Sequence, residues 1–514
     1  MKKRNKKDLK KELESKNIFI HDDHKLVTRR DFLSAGLIQF SAMVMAPTLL
    51  SALLKSNSAY ADCAASSGTT NTLMPFIHLN LAGGASLASN FIPRDQGGNL
   101  LTNMNLMGLS TANNLVTNNR LVSDFGIQNG FHSQSGLLAG LRAVAATAGI
   151  LPAAANYINN TALIGVPVRS GDDSSMNPGS LRALVTNAGL QGSALPILTS
   201  SGFGQVSSIV PPQSSPLIVT RATDLDNAVG VPAPLGTMTK SRQVATFKLL
   251  KSLSEAEAVR LLASAVNAPE VQEATGCATS QNQALVAQNK PATTPVANAE
   301  LMRIWNLTAT NGVLNNPTSQ NSIFGSVVFN ALIEQAGYSE LQMGGYDYHN
   351  NTRTSGNTRD NDAGQVIGRI LQSAAVLNQD VTVMVTSDGS TRSMLSDTDD
   401  QAVWVSDRGQ AGQVLLFIYK ANGRPTLGNS QIAAGSFLNN QIGHFTSGQS
   451  ADSAYLPNWD VNRAMLAIFA NYLKLNLGNS WQATYNAVVE PARIQAGFGA
   501  PPLDAVGLAK ILRT

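Results

Sequence analysis

At 514 residues the chain is long enough for one large α/β core with insertions, or for two to four smaller domains. Charged residues are 14% of it, against roughly 25% in ordinary soluble domains, and Asn, Ser, Thr, Gly and Ala take their place. The first 61 residues hold 12 of the 37 Lys and Arg and 6 of the 33 Asp and Glu, leaving 25 basic against 27 acidic in the rest. The excess positive charge is therefore confined to the N-terminus, which excludes a nucleic-acid partner.

That N-terminus reads as an export leader over residues 1–61. Thr28-Arg29-Arg30-Asp31-Phe32-Leu33 is a twin-arginine signature, Phe32 to Leu54 is an apolar span, and Ala59-Tyr60-Ala61 supplies the small residues a signal peptidase needs. Gly36, Gln39, Ser41 and Pro47 weaken the span as a permanent helix, so no membrane anchor is expected after cleavage. Asp62 precedes Cys63 where a lipobox requires a small residue, so lipidation is not expected either. The partner in transit is the twin-arginine translocase, and the expected location is periplasmic or otherwise exported. Cys63 and Cys277, the two cysteines, either form one disulfide or remain two thiols; spacing decides neither.

The remainder, residues 62–514, reads as a single large α/β domain. Phe76 to Leu81 is a strand running into Ala82-Gly83-Gly84-Ala85-Ser86, and His78 within it reads as a structural histidine. Asn90 to Gln128 is an Asn-rich excursion with little periodicity. A helix pattern starts near His132, and Thr161 to Val168 is a second strand, ending in a loop with Asp172 and Asp173. Leu181 to Ala188 suggests a helix, and Ala194 to Thr199 and Pro216 to Val219 two short strands. Ser241 to Val266 has helical periodicity, and a polar insertion lies near 267–298.

Helix patterns return over Glu300–Trp305 and Ser322–Gly337, and lead into Gly344-Gly345-Tyr346-Asp347-Tyr348-His349. An amphipathic helix is expected from Asp362 to Leu377 and a strand from Val381 to Thr386, ending in Ser387-Asp388-Gly389-Ser390-Thr391-Arg392. Strands at Ala402–Val405 and Val414–Tyr419 flank Ser406-Asp407-Arg408-Gly409, and Asp460 to Leu475 closes the pattern as a helix. Strands alternating with helices, with polar loops at strand ends, predict a mostly parallel sheet flanked by helices, with loop insertions.

In an open α/β sheet, ligands bind where the strands end. Asp347 and His349, two apart, offer an oxygen and a nitrogen to one point; Asp388, Asp407 and His444 are further candidate ligands, and His132 another loop histidine. Ser86 is the candidate nucleophile or oxygen ligand. The order of these features resembles the bacterial family known as domain of unknown function 1501. It covers the twin-arginine leader, the strand with a Gly-Gly loop, the Asp-x-His motif and the Ser-Asp loops, most closely from Gly344 to Pro425. The resemblance implies an alkaline-phosphatase/sulfatase-like fold and a divalent metal (zinc, manganese, calcium or magnesium) serving hydrolysis of phosphate or sulfate esters. The chain departs from that pattern at Arg408, where the family commonly has histidine; with Arg392 it suggests an anion site instead.

Two other readings stand beside this one. A non-catalytic periplasmic or surface-assembly protein would reuse the fold, as the bland surface and Arg408 suggest. A serine hydrolase would use Ser86, Asp388 and His444 in that chain order, although its elbow requires a helix directly after the serine. The leader gives the first testable outcome: N-terminal sequencing of the exported protein should begin at Asp62, and recovery of an intact residue 1–61 segment would mean that it is retained as an anchor.

Overall fold

The computed structural model describes residues 73–146, 155–169, 179–188, 197–200, 217–225, 293–336, 338–348, 353–387, 392–393, 404–405, 411–427, 440–453 and 461–489, with positions 241, 242, 245, 248 and 249. The leader, both cysteines, most of the 241–266 helix pattern and most of the 267–298 insertion lie outside the described residues.

Seven strands form the central sheet: β1 (Phe76–Gly83), β2 (Thr161–Val168), β3 (Ile197–Leu198), β4 (Leu217–Ile218), β5 (Ser339–Tyr346), β6 (Val381–Ser387) and β7 (Gly412–Tyr419). Their spatial order is β2-β7-β6-β1-β5-β3-β4. β1 is parallel to both β6 and β5, and β3 and β4 continue parallel beyond β5. β7 is antiparallel to β6 and to β2, so it alone opposes the other six. The expected mostly parallel sheet is present, with this one reversal.

Strands at the middle of such a sheet are covered on both faces and so read as unbroken runs of buried residues. β1 and β6 do so, and β6 supplies the β-branched Val381, Val383 and Val385 that fit a pleated, crowded surface. Ile77, Leu79, Leu81, Val383, Val385 and Phe417 point into one core, shared with the helices α1 (Gly136–Ala145), α3 (Gln320–Leu332) and α4 (Arg353–Leu377). Phe76, Met384, Leu416 and Ile418 point the other way, to α2 (Gly179–Asn187), α5 (Val461–Leu477) and α6 (Trp481–Val489). The result is a three-layer α/β/α arrangement. No helix among the described residues is long and apolar enough to cross a membrane.

Several expected elements differ in extent. α4 begins at Arg353, nine positions before the predicted Asp362, and stops where Asn378 takes a left-handed φ of 52°. The Asn-rich excursion contains a short helix, Ala112–Thr117, and a hairpin of Leu121–Asp124 with Ile127–His132. Of the predicted strand at 402–405, the described residues Trp404–Val405 pair with Arg392–Ser393 in a separate ribbon, outside the central sheet.

α1 and α4 meet at backbone distance. A Cβ added at Gly136 would lie 2.1 Å from the Asn357 carbonyl oxygen, one at Gly140 2.1 Å from that of Asn361, and one at Gly364 2.1 Å from that of Leu137. Such contacts fall well inside van der Waals separation, so a methyl group can enter only if the helices part. Helix propensity alone favours Gly140→Ala by about 1 kcal/mol. The overpacking penalty, about 1–3 kcal/mol, opposes and should outweigh it. Urea denaturation should therefore show Gly140→Ala to be the less stable protein.

Candidate functional site

The loops that follow β1, β5 and β6 leave the same edge of the sheet, because these three adjacent strands run parallel. Gly83 makes the closest approach. Its φ is +114°, and a Cβ there would lie 2.2 Å from the backbone nitrogen of Asp347. Only glycine fits this position, on both dihedral and steric grounds. The β1–β5 register also shifts between Leu81 and Gly83, a bulge of the kind that re-aims a strand end. Ser387, the last residue of β6, ties the turn down. Its hydroxyl accepts from the Ala85 N–H at 2.7 Å and lies 2.9 Å from the carbonyl oxygens of both Leu81 and Gly83.

The structure thus brings the Ser86 turn, Asp347 and Ser387 to one edge. Asp347 is exposed there, while Tyr346 and Tyr348 on either side of it are buried. Ser86 is 2% exposed and precedes a single helical turn, Leu87–Asn90; its hydroxyl shares a short hydrogen bond with that of Ser89. His349, Asp388, Asp407, Arg408, Asp172 and Asp173 lie outside the described residues, as does the side chain of Arg392. His444 sits in a segment that runs along the edge strand β2, where Gln441 bridges to Gly165, and its Nε2 pairs with Asp452 at 2.7 Å. A serine-hydrolase arrangement would need that nitrogen at Ser86 instead.

Two of the remaining histidines are structural. His78 is fully buried, with Nε2 2.6 Å from the Thr386 hydroxyl and Nδ1 3.3 Å from the Glu340 carboxylate, its neighbour across β1 and β5. His132 accepts at Nδ1 from the Gln134 N–H (3.1 Å), and the Arg353 guanidinium lies 3.1 Å from the same nitrogen. Arg353 also donates to the Gly108 carbonyl and covers the Trp404 ring at 5.4 Å. Trp404 in turn packs on Tyr348, with ring centroids 6.0 Å apart.

A buried polar network, not visible in the sequence, lies beneath this edge. The Asn90 side-chain oxygen accepts from the Ser135 hydroxyl (2.6 Å) and the Leu137 N–H (3.1 Å). Those two donors orient the amide, so its NH₂ faces the Ser86 carbonyl (2.8 Å) and the Asp360 carboxylate (2.7 Å). The other Asp360 oxygen accepts from the Tyr348 hydroxyl at 2.8 Å. Tyr346 donates to the Arg359 carbonyl at 2.9 Å. Burial pushes both tyrosine hydroxyls far above their ordinary range, so both remain donors.

An open cleft of about 680 Å³ adjoins the network between the N-termini of α1 and α4, lined by Ser133, Ser135, Asn357, Asn361 and Arg353 among others. Its lining holds no carboxylate, imidazole or thiol; it offers neutral amide and hydroxyl oxygens and the Arg353 guanidinium. Among the described residues no three His, Cys, Asp or Glu side chains gather into a metal-binding group.

Burial drives the Asp360 carboxyl up to about 6, against hydrogen bonds from Asn90 and Tyr348 and the nearby charge of Arg353. A native value above the unfolded one of about 4 means that protonation favours the fold. This group's stabilisation is complete below pH 4 and disappears as pH rises through 6, in total by about 3 kcal/mol. Between about pH 4 and about pH 7, wild type should lose roughly 2–3 kcal/mol more unfolding free energy than Asp360→Asn. Parallel curves in urea titrations would show that the carboxyl does not titrate in that window. Comparison of the chain with models of known protein families, with curated proteins and with solved structures gives no match.

Proposed function

We propose that the protein is an exported hydrolase of phosphate or sulfate esters, built on an alkaline-phosphatase-like version of this fold and dependent on a divalent metal. The reading rests on motif order and on the placement of motif residues in the sheet. The observation that carries it is the convergence of the Ser86 turn and Asp347 at the carboxyl ends of neighbouring parallel strands, where Gly83 packs against the Asp347 backbone. That is where an open α/β sheet binds its ligands. The likeness to domain of unknown function 1501 supports the same reading, as does the leader, whose twin-arginine route would deliver the protein folded to the periplasm.

In this reading Asp347, His349, Asp388 and Asp407 hold the cation, with His444 a further candidate. Oxygen donors with imidazole suit zinc, manganese, magnesium or calcium. Once bound, the cation would polarise the ester's phosphoryl or sulfuryl oxygen. Arg392 and Arg408 would neutralise the charge of the anionic substrate, and Ser86 would supply a ligand or attacking oxygen. Gly83 leaves the backbone around Asp347 free of side-chain bulk on the β1 side.

One observation favours the alternative of a non-catalytic binding or assembly protein: the Ser86 hydroxyl is buried and bonded to Ser89, in the manner of a structural serine. Metal analysis and turnover decide between the two. The purified mature protein should carry zinc, manganese, magnesium or calcium, and Asp347→Ala should lower p-nitrophenyl phosphate or sulfate turnover by about 100-fold or more. Metal-free protein, or turnover indifferent to Asp347→Ala, would favour the binding protein.

A further inference from the structure

We propose that Asp360 is the positioning residue of this edge, holding the Ser86 turn through Asn90 and the strand end that bears Asp347 through Tyr348. Its role in turnover rests on the reading of the edge as a hydrolytic site; its role as a clamp does not.

The geometry is continuous. From the Ser86 carbonyl the path crosses the Asn90 amide at 2.8 Å, the Asp360 carboxylate at 2.7 Å and the Tyr348 hydroxyl at 2.8 Å. It leaves the loop after β1, enters α4 and comes out at the end of β5, one residue past Asp347. Asn90 cannot turn its amide over to meet a different neighbour, because the Ser135 hydroxyl and the Leu137 N–H hold its oxygen.

An ionisable carboxyl is a costly choice for a buried joint, since burial opposes its charge. Asparagine is nearly the same size but presents one donor and one acceptor. In Asp360→Asn, one NH₂ must face either the Asn90 NH₂ or the Tyr348 hydroxyl. Facing Asn90 it meets another donor; facing Tyr348 it forces that hydroxyl to turn away, toward an acceptor such as the Gly356 carbonyl at 3.4 Å. A carboxylate accepts from both partners at once, which explains the acid at this position.

The test is hydrogen exchange by mass spectrometry on the full mature chain, alongside p-nitrophenyl phosphate turnover. Asp360→Asn should speed exchange about tenfold or more in peptides covering 84–91 and 343–348, while 366–377 and 381–387 change less than about threefold. Its kcat should fall about tenfold with KM within about threefold of wild type. Tyr348→Phe, which removes one hydroxyl and preserves the ring packing, should loosen only the 343–348 side, and it decides the matter if Asp360→Asn fails to fold. Unchanged exchange in both segments, or a uniform rise throughout the protein, would overturn the clamp. Local loosening with unchanged kcat would overturn the positioning role. If wild type shows no turnover, the hydrolase reading fails, while the exchange pattern still decides the clamp.

Discussion

At Gly136, Gly140 and Gly364, α1 and α4 meet with no side chain between their backbones, and the polar groups that orient Asn90 depend on that contact. α1 carries Ser135 at its N-cap and Leu137 in its first turn, the two groups that orient Asn90. α4 carries Asp360 about one helical turn before Gly364, which meets the Leu137 carbonyl. Separate the helices by the width of a methyl group, and Asn90 can no longer reach both Ser135 and Asp360. A loss of packing in one layer would therefore appear as a loss of alignment at the sheet edge.

The two faces of the sheet handle buried polarity differently. On the α4 face, Asn90, Asp360 and Tyr348 form a hydrogen-bonded chain that ends at two loops. On the opposite face, His78 and Glu340 form a cross-strand pair, with Thr386 at the other His78 nitrogen, inside a core of Phe76, Tyr338 and Met384. Tyr338 stacks on Phe76 at 5.5 Å between centroids, and burial pushes its hydroxyl well above the ordinary range. Replacing one member of such a pair strands the other in a medium that cannot solvate it, which is costlier than never having had the pair.

The central strands were readable because full burial leaves an unambiguous mark: Thr161–Val168 matches β2 end to end, and β1 and β6 differ from expectation only at their C-terminal ends. The start of α4 was not readable. Residues from Arg353 to Asn361 are polar because they face the α1 seam, the polar cleft and the Asn90 network, so they lack the apolar period that marks a helix. The direction of β7 was equally hidden, since a fully buried run looks alike in either orientation. Asp347 was legible as a candidate because the Asp-x-His pattern with His349 is local in the chain. Asp360 was not, because Asn90 lies 270 positions away and nothing local ties the two. The Gly136 and Gly140 spacing does mark a close helix contact, but it does not name the helix it meets.

β1 sits at the centre of the sheet, yet it is the first strand of the described chain. Its neighbours on both sides arrive late: Ile77 pairs with Ser339 on one flank and with Val383 on the other. During synthesis, a largely apolar strand must therefore wait from Ile77 until Ser339 has been made before its backbone finds a partner in the sheet. Long-range parallel pairing is slow to form, and the waiting strand is prone to stick to other chains. The sheet closes only when β7 (Gly412–Tyr419) has been made, late in synthesis. A cell making this protein needs to shield residues 76–83 throughout that interval, before any question of destination arises.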